Sequence, residues 1–229
     1  MHADPKQLER PPWSALTTAH SSFALGDDRA RRYRPDFSPM AAVRDASDEC
    51  FQALGAAMRP GEVVGLFDPA PALGNRSLEV ILHKTIEQMV YEEREMPPAA
   101  AGHASLTPAD VPDMMQLVEL TKPGPFAART IALGSYIGIR AGGRLVAMAG
   151  ERMRFPGFTE ISAVCTHPDY RHRGYSSALV RALTRGILDR GEIPFLHIFS
   201  DNSTAGSLYE HLGFSHRRTL TVTVLRRQD

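Results

Sequence analysis

One segment of the chain combines a strand, a basic loop and the start of a helix at residues 164–179. The first N–H groups of a helix have no partners within it and lie at the positive end of its dipole, which attracts phosphate. Arg171 and Arg173 add positive charge, and Gly174 lets an anion approach the backbone closely. The pattern predicts a phosphate or pyrophosphate site. For this loop alone, an exposed, ligand-free helix start rich in arginine is an equally weighted alternative.

The loop and its surroundings resemble the Gcn5-related N-acetyltransferase (GNAT) superfamily, in particular its FR47-like branch. The family's pyrophosphate loop is Arg/Gln-x-x-Gly-x-Gly/Ala. This chain has Arg171-His172-Arg173-Gly174-Tyr175-Ser176, with Ser in place of the usual Gly or Ala. His167-Pro168 stands at the family's usual spacing before the loop, and residues 201–214 look like the second family signature. The order and spacing agree over residues 105–225.

The resemblance implies acetyl-CoA as the co-substrate and no metal. The strand before the loop would expose backbone groups to the pantetheine arm at Val164, Cys165 and Thr166, and the Val164 N–H would polarise the thioester carbonyl. Asn202 matches an asparagine that touches the cofactor arm in many members, and it could also cap the helix that follows it. The residues implied for the pyrophosphate are Arg171, His172, Arg173, Gly174, Tyr175, Ser176 and Ser177.

The resemblance also implies groups that move protons. Tyr209 resembles the tyrosine that protonates the departing CoA thiolate, and its ordinary pKa of about 10 keeps it protonated at neutral pH. Packing within the core is the alternative for Tyr209. Glu160 and His197 are the candidates for the general base, with Glu160 placed first, because a histidine in an apolar strand is as often a packed residue. Cys165 alternates to the opposite face of its strand and is interpreted as packing rather than as a nucleophile.

The elements that must position these residues follow from local signals. Thr107-Pro108-Ala109-Asp110 predicts a capped helix start. Strands are predicted over 135–140, 144–150 and 159–166, the first two joined by a glycine hairpin at 141–143. A helix over 174–190, a strand over 195–199, a short helix over 204–211 and a strand over 217–225 follow. The predicted fold class is α/β: a GNAT-like mixed, mostly antiparallel twisted sheet flanked by helices.

The first part of the chain matches no motif. Ser38-Pro39 and the apolar residues that follow, up to Leu54, predict a helix capped by Ser38. Short strands are predicted over 63–67 and 78–82, and the arginines at 29–34 are interpreted as a solvated turn. Paired prolines and small residues predict a linker at 97–104. We therefore expect an α+β region at 1–96, conjectured to be a degenerate acetyltransferase-like half, and a GNAT domain at 105–229.

Composition narrows the class of protein. Lys plus Arg and Asp plus Glu each number 26, and this balance argues against a nucleic-acid partner. No apolar run approaches the roughly 20 residues of a membrane span, and the N-terminus has no secretory pattern, so no membrane association is expected. Two distant cysteines fit a reducing cytoplasmic location. The chain lacks the Gly-x-x-x-x-Gly-Lys pattern of a P-loop nucleotide binder.

Together these patterns predict an acyl-CoA-dependent N-acyltransferase that moves an acetyl group to a primary amine by direct attack in a ternary complex. The expected acceptor is a small-molecule or peptide amine, and an oligomer is compatible with the sequence. The alternative is a CoA-binding module of the same fold without turnover, with a regulatory or sensory role. Release of the CoA thiol distinguishes the enzyme from the binding module.

Overall fold

A computed structural model describes residues 3–67, 77–93 and 102–229. The helices in these ranges are α1 (Pro11–Thr17), α2 (Asp48–Ala56), α3 (Val111–Thr121), α4 (Tyr175–Asp189) and α5 (Ser203–His211). The strands are β1 (Ala24–Gly26), β2 (Ala30–Tyr33), β3 (Met40–Val43), β4 (Val63–Phe67), β5 (Leu78–Tyr91), β6 (Ala104–Ser105), β7 (Tyr136–Ala141), β8 (Arg144–Phe155), β9 (Phe158–Thr166), β10 (Ile193–Phe199) and β11 (Phe214–Arg227).

These strands form one sheet in the order β1-β2-β3-β4-β11-β5-β10-β9-β8-β7-β6. The β3–β4 and β9–β10 pairs are parallel, and the remaining neighbours are antiparallel. The predicted fold class, a mixed and mostly antiparallel sheet flanked by helices, is therefore confirmed.

The two parts of the chain exchange strands within this sheet. β5, from the first part, lies between β10 and β11 of the second part. β11 in turn pairs with β4 of the first part over residues 222–226. Backbone hydrogen bonds thus join the two parts. Most of the predicted linker lies outside the described residues, and the boundaries at 96 and 105 stay predictions.

Helices cover both faces of the sheet. On β8, Ala147 and Ala149 join the apolar cluster beneath α4, whereas Met148 between them joins the cluster beneath α3. This alternation follows from the two-residue period of a strand. A third apolar cluster lies on the same face of the sheet as α3, next to the first part of the chain. In it, Phe155 and Phe195 pack with Tyr33.

The predicted helix from Ser38 to Leu54 is wrong in its first half. Met40–Val43 forms β3, all four residues are buried, and the strand pairs with β2 and β4. The helix begins at Asp48, where the Ser47 hydroxyl accepts a hydrogen bond from the Cys50 N–H at 3.4 Å. Either serine suits a helix N-cap, and tertiary pairing of the apolar residues 40–43 selected the later one.

Two other expectations for the first part need correction. The strand predicted over 78–82 extends to Tyr91, because β11 pairs with it along its whole length and β10 pairs with residues 86–90. Arg32, interpreted as part of a solvated turn, is buried on β2 and forms an ion pair with Glu62. In the second part, the predicted strands and helices are confirmed, although several of the observed strands are longer. No helix among the described residues is long and apolar enough to span a membrane.

Candidate functional site

The parallel strands β9 and β10 separate along the sheet. They pair only at their beginnings, and the last pair joins Glu160 to Phe195. Among the described residues, no ladder pair connects 161–166 of β9 to 196–199 of β10. This separation exposes backbone donors and acceptors between two strands, where an extended ligand can replace the missing partner.

A bulge lies on β9 within the separated region. The register with β8 shifts between the pairs Met148–Cys165 and Gly150–Ser162, and Ala163 has a φ of 53°. A left-handed conformation costs a non-glycine residue about 1–2 kcal/mol, and such strain is concentrated at functional sites. The bulge changes the direction of the strand immediately before Val164, the residue predicted to polarise the thioester.

The predicted pyrophosphate loop lies at the start of α4. Residues 171–174 are exposed, His172 and Gly174 have φ values of 60° and 75°, and no side chain caps the helix. The N–H groups of the first turn therefore have no helical partners. Gly174 faces open space, so its conformation, rather than crowding, favours glycine.

Side chains hold the loop against the end of β9. The hydroxyls of Ser176 and Thr166 lie 3.0 Å apart. The Arg173 guanidinium donates to the Asp169 carbonyl at 3.3 Å and lies 4.9 Å from the centre of the Tyr170 ring. The structure thus brings the predicted pantetheine strand and the predicted pyrophosphate loop together in one continuous surface.

Tyr209 lies on α5 at the other side of this region. It is buried, and its ring meets Phe214 edge-on at 6.0 Å. Val164 of β9 and Ile198 of β10 pack against the same apolar cluster that contains Tyr209. Burial raises the pKa of Tyr209 and keeps the hydroxyl protonated at neutral pH.

Asn202 and Cys165 make structural contacts that the sequence analysis had named, a helix cap for Asn202 and core packing for Cys165. The Asn202 side-chain oxygen accepts a hydrogen bond from the Ala205 N–H at 3.2 Å and caps α5. Cys165 is buried among apolar residues beneath α3, and burial raises the pKa of its thiol to about 11. A thiol with this pKa is almost entirely protonated at neutral pH, which fits packing rather than nucleophilic attack.

Glu160 and His197 contact each other on the opposite face of the sheet from Tyr209. His197 Nδ1 lies 2.8 Å from Glu160 Oε1, and the His197 ring contacts Phe67 and Phe195. Glu160 is also held by Arg152, whose Nε and Nη2 donate to its two oxygens at 2.8 and 2.6 Å. Both candidate bases are therefore part of a buried polar cluster.

The pKa values in this cluster follow from the pairing. Burial alone would raise the pKa of Glu160, but the Arg152 charge and the hydrogen bonds from His197 and Arg152 outweigh it, and the pKa falls to about 2. Burial, with the charges of Arg152 and Arg218, lowers the pKa of His197 below its ordinary value although Glu160 acts to raise it. Glu160 is thus ionised and His197 neutral at neutral pH. Sequence patterns did not single out Arg152, because the strand predicted over 144–150 ended before it, whereas the observed strand continues to Phe155.

Two comparisons of the sequence with known proteins match part of this chain. The family model of FR47-like proteins matches residues 136–223. N-alpha-acetyltransferase RimI from Mycobacterium tuberculosis is 39% identical over 101 residues, which cover 40% of this chain and 61% of that protein. The chain therefore matches less than two thirds of this relative's length.

Solved structures extend the likeness to both parts of the chain. A protein described as an acetyltransferase of the GNAT family, from Novosphingobium aromaticivorans, superposes with a TM-score of 0.90 at 36% identity, over 99% of this chain and 100% of its own. A GCN5-related N-acetyltransferase from Kribbella flavida shares the fold, with a TM-score of 0.63 at 14% identity over 100% of this chain and 97% of its own.

Proposed function

Because this chain belongs to the GNAT acetyltransferase family, we propose that it transfers an acetyl group from acetyl-CoA to a primary amine. The observation that carries the proposal is the continuity between the separated strands β9 and β10 and the exposed, uncapped start of α4. The gap between β9 and β10 can receive an extended arm, and the start of α4 can receive a pyrophosphate.

The residues fit this ligand in two ways. The first-turn N–H groups at 175–177 and the guanidinium groups of Arg171 and Arg173 supply donors and positive charge for the pyrophosphate. The backbone at 164–166 supplies ladder positions for the amides of the pantetheine arm. Asn202 lies at the start of α5, and its side-chain nitrogen is the group that we assign to the cofactor arm, since its oxygen caps the helix.

The transfer itself needs one bond formed and one broken. The amine nitrogen attacks the thioester carbonyl carbon, the carbon–sulfur bond breaks, one proton leaves the nitrogen and one proton reaches the thiolate. We assign the Val164 N–H as the donor to the developing oxyanion. We assign the Tyr209 hydroxyl as the donor to the thiolate, because it stays protonated in its buried position and Val164 packs against its apolar cluster.

The base predicted from the sequence stays a prediction, and its surroundings weigh against Glu160. The pKa of Glu160 lies below its ordinary value, so its carboxylate is a weak base toward an ammonium group, whose pKa lies several units higher. His197 is neutral, but contacts at 2.8 and 3.2 Å occupy both of its ring nitrogens. We therefore propose that the acceptor attacks as the neutral amine, after it has lost its ammonium proton to bulk solvent. Water then takes the more acidic proton that the nitrogen releases once the nitrogen–carbon bond has formed, and Glu160 and His197 hold the strands.

The acceptor class is an amine of a small molecule or of a peptide. The name of the RimI relative denotes acetylation of an α-amino group, and that relative is 39% identical to this chain over 101 residues. A peptide α-amine is therefore the first acceptor to test. A panel of peptides and small amines, read by release of the CoA thiol, identifies the class.

We expect acetyl-CoA to stabilise the protein because it binds the folded state selectively. At 100 times its Kd a ligand adds about 2.7 kcal/mol, which raises Tm by roughly 5–10 °C in a chain of this size. Thermal unfolding with and without acetyl-CoA measures this shift, and pantetheine, which lacks the pyrophosphate, should give a smaller one. Stabilisation without thiol release across the amine panel would favour a binding module. No stabilisation would contradict the proposal.

Gly174→Asp tests the pyrophosphate loop. It places a carboxylate beside the anion site, and we expect CoA affinity to fall roughly 10- to 100-fold, because charge-assisted hydrogen bonds are replaced by repulsion. Gly174→Asn is the matched control, since asparagine has the same shape, tolerates the left-handed backbone and has no charge. Equal affinities of the two variants, measured by calorimetry, would show that the anion binds elsewhere.

A further inference from the structure

Five polar side chains form an unbroken series of contacts across five neighbouring strands. We call this series the crossbar. Its members, in spatial order from β8 to β11, are Arg152, Glu160, His197, Gln88 and Arg217. Arg152, Glu160 and Gln88 are buried, as is the His197 side chain, and Arg217 is half-buried.

The contacts agree on one arrangement of donors and acceptors. Arg217 Nη1 donates to Gln88 Oε1 at 2.9 Å, and Gln88 Nε2 donates to the Leu8 carbonyl at 3.0 Å. These two bonds fix the orientation of the Gln88 amide, so its nitrogen faces His197 Nε2 at 3.2 Å. His197 Nε2 must then accept, and Nδ1–H donates to Glu160. Every member is thus held by its neighbours.

The crossbar lies where β9 and β10 separate. Glu160 belongs to the last ladder pair of these strands, and His197 is two residues beyond Phe195, its partner in that pair. The Glu160–His197 hydrogen bond therefore connects the strands just past the point where backbone bonding ends. Gln88 is the direct ladder partner of His197, and the bulge at Arg217 on β11 brings that residue to Gln88.

The first part of the chain supplies one member of the crossbar and several of the contacts that hold the others. Gln88 lies on β5, the strand that the first part contributes between β10 and β11. The Leu8 carbonyl holds Gln88, and Glu9 forms an ion pair with Arg217. Phe67 of β4 packs edge-on against the His197 ring at 4.8 Å. The region without a recognisable motif thus contacts the crossbar at the point where β9 and β10 separate.

We infer that the crossbar fixes the gap between β9 and β10, and that Gln88 and Arg217 are positioning residues for the acyl group. This inference rests on the proposed function, because the gap is the slot assigned to the pantetheine arm. A slot of fixed width sets how far the thioester enters and which acyl chains fit. Loosening the crossbar should therefore change acyl-chain preference, which a general loss of stability would not do.

Gln88→Met tests the inference, because it keeps the length of the side chain and removes its polar contacts. Thr130→Val is the matched control. Thr130 is buried, donates to the Phe37 carbonyl at 2.6 Å and accepts from the Ala127 N–H at 2.7 Å. This change therefore removes two hydrogen bonds of a buried side chain away from the slot, whereas Gln88→Met removes three contacts beside it. We expect the kcat/KM ratio of acetyl-CoA to butyryl-CoA to shift about three- to tenfold in Gln88→Met and to keep its wild-type value in Thr130→Val.

Amide hydrogen exchange gives a readout that does not depend on CoA. In Gln88→Met, exchange at 160–166 and 196–199 should rise about three- to tenfold relative to Thr130→Val. Should Gln88→Met fail to fold, Arg217→Gln removes the half-buried end of the crossbar and is measured in the same way. Wild-type exchange in these segments, together with an unchanged acyl-CoA ratio, would overturn the inference. A wild-type protein that binds no CoA would refute the proposed function, and hydrogen exchange would still decide the crossbar.

Discussion

Tyr209→Phe should slow acetyl transfer by roughly 10²- to 10⁴-fold and leave acetyl-CoA affinity nearly unchanged. The change removes one hydroxyl and keeps the ring that packs against Phe214. Without a proton donor, CoA must leave as a thiolate. Since a free thiol has a pKa of about 8.5, this departure is slower but still occurs. Steady-state kinetics with measured acetyl-CoA binding separates the fall in kcat from any change in affinity.

Tyr91→Phe is the matched control for this experiment. Tyr91 lies in the same apolar cluster, and its ring is 5.3 Å from that of Phe214. We assign the Tyr91 hydroxyl no role in proton transfer. Its removal should therefore lower the stability of the protein rather than the rate of acetyl transfer. Full activity in a folded Tyr209→Phe protein, as judged by circular dichroism, would return Tyr209 to a packing role and contradict the assigned acid.

The second part of the chain was predictable because its signals are local. The Thr107 capping box closes as expected, since the Asp110 carboxylate accepts from the Thr107 N–H at 2.8 Å. The hairpin between β7 and β8 turns at Gly142 and Gly143, both with positive φ. Each of these structures depends on residues within a few positions of one another, so composition and spacing were sufficient to predict it.

The first part was predicted less well because its structure depends on distant partners. Residues 40–43 suit a helix or a strand, and pairing with β2 and β4 decides between them. Residues 83–91 include Lys84, Glu87 and Gln88, which hide the strand pattern. β10 and β11 pair with this segment from more than 100 residues away in sequence. No short-range pattern contains that information.

The candidate site also has a part that local sequence predicted and a part that depends on distant strands. The loop residues 171–177 are contiguous, and the sequence alone predicted their position at a helix start. Glu160 and His197 were predicted individually, but their contact with each other and with Arg152 depends on the order of strands. Gln88 was missed because only the exchange of β5 brings it beside His197.

Glu160→Gln should lower stability by about 3–5 kcal/mol, which corresponds to a fall in Tm of roughly 6–20 °C. The variant leaves the buried Arg152 cation without its carboxylate. The effect should depend on pH. Because the pKa of Glu160 is below its ordinary value of 4.5, the pair contributes its full stability above about pH 4.5 and loses it as the pH falls toward 2. The stability difference between wild type and variant, measured by urea unfolding, should narrow over that interval.

The double variant Glu160→Gln, Arg152→Met decides between support and proton transfer. Methionine removes the unpaired cation, and the amide oxygen introduced at position 160 can still accept from His197 Nδ1–H, so much of the lost stability should return. If Glu160 only holds the strands, any acetyl-transfer rate lost in Glu160→Gln should return in the double variant together with the stability. If Glu160 is the base, the rate should stay about 10²- to 10⁴-fold low and improve at high pH, where the amine is already deprotonated. We expect recovery, because Arg152 and His197 already occupy both carboxylate oxygens in the native protein.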